Sequence, residues 1–431
     1  MEFMLQLLFT MAVLFICARI GSAIVSKFGL PGLIGEIVMG IVIANLSFGD
    51  WSLLSVLDIS IPGPGEEATS GSDVYTVIKV FAELGVIFLL FSVGLETKVS
   101  DLLGSGKAAL LAAVLGVLLP FMCGIAIIMV MDGNMNHALF MGAAMVATSV
   151  GITARIIKDM KLMDTREARI IIAAAVIDDV LGMIVLAVVN GIAGSGEISI
   201  VDIILITLQA VAFVVAVILI CKHLIPRIYD YRRSKHDSKV NQGKVPYSFN
   251  KLVLAIIVCL AMSAFAEFIG LAAIIGAFLA GMLFAEYAWE WDLEHKVESI
   301  TTFLISFFFL NVGLQVDVFA LTDVSVLVLT IIIIAAALLT KYVGCGMGAK
   351  LGDKDLDKDG MNIIGVGMMP RGEVGIIVAS IGLASGAMSM ELYAVVVLMS
   401  VLTTIIAPPM LSKLFRRKYQ EQYRIMPDDR I

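Results

Sequence analysis

Apolar residues fall in long runs separated by short polar stretches, at roughly 4–26, 30–46, 74–97, 105–131, 137–158, 166–190, 200–226, 248–267, 269–288, 298–318, 322–349, 360–386 and 388–412. A helix crosses the hydrocarbon core of a bilayer in about 20 residues. The pattern therefore predicts an all-α polytopic membrane protein with about 13 transmembrane helices. The division between the eighth and ninth runs is the least marked and rests on Phe268-Ile269-Gly270. Two runs carry stretches that weaken a helix. Thr148-Ser149-Val150-Gly151-Ile152-Thr153 packs hydroxyls, β-branched residues and a glycine into the fifth. Gly365, Gly367, Pro370 and Gly372 do the same in the twelfth, where Pro also removes a backbone donor. A hydroxyl-lined packing face is the plainer reading of the first stretch. Beside the acids described below, a helix broken at mid-membrane is favoured, its freed carbonyls and dipole ends facing an ion.

Loop charges orient the runs. The segment 47–73 holds Asp50, Asp58, Glu66, Glu67 and Asp73 with no Lys or Arg, and is expected outside. Basic residues cluster at 155–169, 222–244 and 413–418. Thirteen crossings with the N-terminus outside and the C-terminus cytoplasmic put all three clusters on the cytoplasmic side. The first run, with no Lys or Arg before Arg19, reads as a retained span and not a signal peptide. The count divides into six spans, a linker span and six more. An odd linker inverts the second set, giving two inverted six-helix repeats with a site near the midplane. The fifth and twelfth runs are then twins, predicted to cross as broken helices.

Composition agrees. Of 431 residues, 60% are apolar and 16% charged, against about half and a quarter in soluble proteins. The mean hydropathy is +1.00. The net charge of −7 carries little information where charge is sorted by side. No basic, aromatic-interleaved patch suggests nucleic acid, and no GxxxxGK[ST] loop suggests a nucleotide. Five cysteines without paired spacing and four histidines without a ligand pattern suggest neither a disulfide framework nor a transition-metal site. No cofactor is expected.

The chemistry concentrates on Asp178 and Asp179, adjacent in the middle of the sixth run. An ionised Asp at the bilayer centre costs about 2.5–3.5 kcal/mol on insertion scales. Two side by side must face water, a cation or a base. Carboxylates, hydroxyls and freed carbonyls are hard ligands suited to an alkali cation. Mutual repulsion and burial raise the affinity of one carboxyl for protons. Competition of cation and proton for one site gives antiport driven by a gradient. Lys341, several residues inside the eleventh run, either snorkels to the surface or pairs with this Asp pair. Arg371 and Glu373 are assigned to neutralising helix ends, with Arg155 a partner for Glu373. Glu36, Glu83, Glu96 and Glu267, among glycines, are assigned structural roles.

The chain resembles the monovalent cation/proton antiporter superfamily, in particular its bacterial sodium/proton branch of the CPA2 type. The resemblance is carried by residues 31–40, 147–155, Ile177-Asp178-Asp179, 270–281, 307–314, Lys341 and Pro370-Arg371-Gly372-Glu373. It implies Asp179 as the main carrier of cation and proton, with Asp178 assisting and pairing with Lys341 in one state. Thr148 and Ser149 would sit beside the ion. It also implies a homodimer in the bacterial cytoplasmic membrane and electrogenic exchange of Na+, or of Li+ or K+, for H+ by alternating access. The dimer domain would comprise 1–104 and 248–318. A moving core of 105–199 and 319–414 would be joined to it through a linker at 200–247 and followed by a cytoplasmic tail at 415–431. Some potassium-efflux relatives append a nucleotide-binding regulatory domain, which no part of this sequence matches, so sodium exchange is expected over ligand-gated potassium efflux. The alternatives are a potassium/proton exchanger or efflux system, a sodium-coupled solute symporter and, remotely, an intramembrane aspartyl protease. The last needs its two carboxylates on different helices.

Overall fold

The computed structural model describes residues 2–28, 30–48, 51–61, 72–97, 106–195, 250–288, 290–316 and 324–419, with isolated positions between 208 and 220. The predicted seventh span, the interior basic loop and the tail beyond 419 lie largely or wholly outside the described residues.

The chain is helical, as the apolar runs require. In order come α1 (Glu2–Ser26), α2 (Gly32–Asn45), the short α3 (Leu53–Val56), α4 (Asp73–Leu95), α5 (Gly106–Met131), α6 (Met135–Val146), α7 (Val150–Asp159) and α8 (Arg166–Ser195). After the linker region come α9 (Lys251–Phe268), α10 (Ala273–Phe284), α11 (Leu293–Leu314), α12 (Val324–Gly352), α13 (Lys358–Gly367), α14 (Glu373–Ala384) and α15 (Met390–Lys418). A two-residue hairpin pairs Ser47–Phe48 with Trp51–Ser52 and is the only strand pair among the described residues. Among those residues, eight helical segments are long and apolar enough to cross a membrane, and α2, α10 and α14 are shorter apolar helices. The doubtful boundary at 268–270 is real, because Gly270 takes a φ of +81° and turns the chain between α9 and α10.

The helices form two units. The larger comprises 1–85, 105–199 and 304–431, the smaller 86–104 and 200–303. In the larger unit, α12 lies along α5 on a seam of small residues. A Cβ on Gly344 or Gly352 would fall 2.6 and 2.5 Å from the carbonyl oxygens of Leu115 and Lys107, and one on Gly348 would meet the Leu111 backbone. Lipid-embedded helices gain little from the hydrophobic effect and associate through such close backbone approach. The seam fixes the height and rotation of Lys341, one turn before Gly344. Beside it, Phe140, Met145, Ile333, Ala337, Val396 and Met399 form an apolar core where α6, α12 and α15 meet. In the smaller unit, Gly276 on α10 packs against the Met262 backbone on α9, and Lys251 lies 4.9 Å from the centre of the Trp291 ring.

One end of the larger unit is held by charge. Glu167, in the first turn of α8, is 1% exposed and accepts hydrogen bonds from Lys418 Nζ at 2.7 Å and from the Tyr419 hydroxyl. Lys418 also donates to Asp357, whose carboxylate caps α13 through the Gly360 N–H. Burial acts to raise the Asp357 carboxyl, but Lys418 and that N–H hold it below its usual range. The end of α15 thereby ties down the starts of the Asp-bearing helix and of a broken helix.

Candidate functional site: crossed helix breaks around a buried ion pair

The fifth and twelfth runs are interrupted where their sequences weaken them. Helix α6 stops at Val146 and α7 starts at Val150, leaving 147–149 non-helical. Helix α13 stops at Gly367 and α14 starts at Glu373, leaving 368–372 as the second break. A broken helix exposes polar backbone that hydrocarbon cannot satisfy. Here each break serves the other. The Ser149 N–H donates to the Pro370 carbonyl at 2.8 Å, and Thr153 Oγ1 donates to the Gly367 carbonyl at 2.6 Å. Pro370 lacks an N–H and so needs no acceptor.

The freed carbonyls at the end of α6 are neutralised by two cations. Lys341 Nζ donates to the Val146 carbonyl at 2.8 Å, and Arg371 Nη1 to the Ala147 carbonyl at 2.9 Å. A helix C-terminus carries about half a negative charge, so both placements are electrostatically favourable. Arg371 is fully buried and also bonds the Ala337 carbonyl of α12 at 3.2 Å, while its own carbonyl accepts from Thr404 Oγ1. Arg371→Ala therefore removes two charge-assisted bonds and strands the Ala147 carbonyl at the break. At about 1.5–3 kcal/mol for each charge-assisted bond, the variant should lose roughly 3–6 kcal/mol, read as a lowered melting temperature in detergent. Arg371→Lys keeps the charge without the planar fork and should fall between the two.

The remaining charge is Asp178. It is 1% exposed and accepts from Lys341 Nζ at 2.8 Å through Oδ1, forming an ion pair in which the lysine is fully buried. Its other oxygen, Oδ2, is buried without a hydrogen-bond partner, and so are Thr148 Oγ1 and Ser149 Oγ. Buried polar atoms are partnered in the large majority of cases, and these three oxygens stand beside one pair of crossed breaks. Ser149 caps the start of α7 by position but not by its side chain. Its hydroxyl lies 2.7 Å from where a Cβ on Gly372 would stand, so only glycine leaves that oxygen unobstructed. Asp179, the next residue, is partly exposed.

Lys341 pairs with Asp178 of α8 and, with Arg371, bonds the end of α6 beside Thr148 and Ser149; Asp179 follows Asp178 on α8. Arg155 stands apart, bonding Asp159 one turn on in α7 at 2.9 Å. Glu373 begins α14, and its side chain lies outside the described residues. Thr404 and Gly116 were not singled out by sequence, whereas Thr153 closes the helix-weakening stretch read in the fifth run. The pair Thr403-Thr404 in an apolar run was a readable signal. Gly116 was not, since its role is to leave room for the Lys341 chain and Cys345, which packs next to it. No group of three His, Cys, Asp or Glu that could hold a metal occurs among the described residues. Glu36 is buried and accepts from Ser306 Oγ at 3.1 Å, between α2 and α11.

The family model for the sodium/hydrogen exchanger, transmembrane, matches residues 11–417. The chain belongs to the sodium/hydrogen exchanger family. It is accordingly a multi-pass membrane transporter, not an enzyme. Among relatives of this exchanger, the high-affinity Na+/H+ antiporter NhaS3 of Synechocystis sp. is 35% identical, over 96% of this chain and 91% of the relative. The Na+/H+-K+ antiporter GerN of Bacillus cereus is 31% identical, over 97% of this chain and 98% of the relative. A solved structure of the sodium proton antiporter MjNhaP1 from Methanocaldococcus jannaschii covers 98% of each chain with a TM-score of 0.61 at 15% identity, a likeness of fold.

Proposed function

We infer that this exchanger moves Na+ in one direction and H+ in the other by alternating access, the two competing for the carboxylates of Asp179 and Asp178. The observation that carries this reading is the set of unpartnered buried oxygens, Asp178 Oδ2, Thr148 Oγ1 and Ser149 Oγ, beside the Lys341–Asp178 pair. Carboxylate and hydroxyl oxygens are hard donors fit for a small dehydrated cation.

Charge explains exclusivity. Lys341 and Arg371 balance Asp178 and Asp179 when both acids are ionised. Either Na+ or H+ then adds one positive charge, and loading both adds two. Two like charges about 4 Å apart repel by about 4 kcal/mol at an effective dielectric of about 20, roughly a thousandfold penalty on double occupancy. Release of Asp178 from Lys341 in one state would add a second titrating carboxylate and make exchange electrogenic. K+ remains a second cargo on the strength of GerN, whose name includes it.

Architecture supports an inverted repeat of thirteen spans. If the second and third spans are twins of the ninth and tenth, a contact between the second and tenth must recur between the third and ninth. It does. A Cβ on Gly40 would lie 2.9 Å from the Gly313 Cα, and one on Gly94 2.9 Å from the Gly281 Cα. The spacing repeats as well, Gly35 to Gly40 in one copy and Gly276 to Gly281 in the other. On this reading the halves 105–199 and 319–414 form the moving core. The halves 1–104 and 248–318 form the dimer domain of a homodimer in the bacterial cytoplasmic membrane, with the N-terminus outside.

Purified protein in liposomes with a trapped pH dye tests the function. Adding Na+ outside should move protons in proportion to the cation, and clamping the membrane potential should change the rate. Absence of any cation-dependent proton flux with Na+, Li+ and K+ in turn would refute exchange.

A further inference from the structure

Helices α12, α13 and α15 enclose a crevice of about 630 Å³ that the transport site does not use, within the ~300–1,000 Å³ of ligand clefts. Its walls are apolar, formed by Leu338, Leu339, Val366, Met369, Met410 and Leu414. Leu339 is 62% and Met410 42% exposed, so the crevice opens outward, where a membrane-spanning chain meets acyl chains.

The polar lining is one-sided in chemistry and in place. Tyr342 donates to Asn362 Oδ1 at 2.6 Å, leaving the Asn362 amide N–H groups and the Lys413 ammonium as donors, and no carboxylate lines the crevice. Lys413 is exposed and has no acidic partner among the described residues. Its neighbours differ, Lys418 being held by Glu167 and Asp357 and Arg417 lying 3.7 Å from Asp359. Exposed Arg416, three residues on, adds a cation to the same helix face. Antiparallel α12 and α13 place Tyr342 and Asn362 toward their short connection, and Lys418 reaches Asp357 in that connection, so Lys413 lies toward it too. Ala335 and Met369 lie at the other end, next to the break at 368–372. The crevice therefore runs from hydrocarbon at mid-membrane to bare donors near one surface.

We propose that it binds a membrane phospholipid with an anionic headgroup, one acyl chain between α12 and α15 and the phosphate against Lys413 and Asn362. A zwitterionic headgroup brings its own cation, for which the lining offers no carboxylate. The occupant would brace α13 beside the break and α12 beside Lys341.

The test is native mass spectrometry of the full chain in detergent with phosphatidylglycerol or phosphatidylcholine added. Phosphatidylglycerol should be retained about fivefold better, since one basic residue near a headgroup contributes about 1 kcal/mol. Lys413→Gln should bring the two lipids to parity. Ala335→Trp, or Leu339→Trp should the first fail to fold, should fill the crevice and lower retention of both. Equal retention by the parent, or a preference untouched by Lys413→Gln, overturns the proposal. Displacement of the lipid by soluble glycerol phosphate would assign the site to a free phosphate and overturn it too. A filler variant that changes the number of chains per particle while retaining lipid would assign the crevice to a second copy.

Discussion

Asp179→Asn should abolish cation-dependent proton movement in liposomes while leaving the exchanger folded. Asparagine keeps the size of the side chain and its capacity to accept a hydrogen bond, but it can neither hold a proton at physiological pH nor offer a full charge to a cation. A charge-assisted contact contributes about 1.5–3 kcal/mol, and each ~1.4 kcal/mol is tenfold in rate. The lost contact alone should slow transport by about 10- to 150-fold, and loss of the titrating carboxyl removes the proton exchanged. Stability should change less than on loss of Asp178, because Asp179 is partly exposed and Asp178 holds the buried lysine. A melting temperature within about 1 °C of the parent corresponds to roughly 1 kcal/mol or less. Normal flux through a folded Asp179→Asn protein would remove that carboxylate from the mechanism and leave Asp178 with the whole task.

Much of this site could be read from the chain because the membrane makes polar residues conspicuous. An acid pair, a lysine and a Pro-Arg-Gly-Glu stretch inside apolar runs have few harmless explanations, and the two weakened helices do break at the residues that weaken them. Pairing was harder. Lys341 could have snorkelled to a surface. Its partnership with Asp178 depends on the glycine seam between α12 and α5, which sequence shows only as scattered glycines. The use of Arg371 as a cap for α6 likewise depends on two breaks meeting, a long-range fact. Arg155 bonds Asp159 four residues away on its own helix, a local acid that charge matching across the chain passed over. The two-residue hairpin at 47–52 left no trace in a pattern dominated by long helices.

Lys341→Ala should be among the most destabilising single substitutions, and the fate of its partner says why. Lys341 is fully buried and makes two bonds, to Asp178 and to the Val146 carbonyl. Removing it leaves a carboxylate with no counter-charge in contact and a helix end uncapped. Breaking one side of a buried pair typically costs about 3–5 kcal/mol, which in detergent should appear as a fall in melting temperature of roughly 3–6 °C. Neutralising both partners differs in kind, since a buried pair replaced by uncharged groups of like volume is often neutral in stability. Lys341→Gln with Asp178→Asn should therefore recover most of what Lys341→Ala loses, while exchange slows and fewer charges move per cation. Equal melting of Lys341→Ala and of the double variant would mean that the pair contributes no coupling, and the lysine would then be only a cap for α6. Recovered stability with altered charge movement would instead mean that the Lys341–Asp178 pair is retained for transport rather than for folding. That outcome fits a bond placed beside oxygens left free for cargo, where a permanent contact would serve stability better and exchange worse.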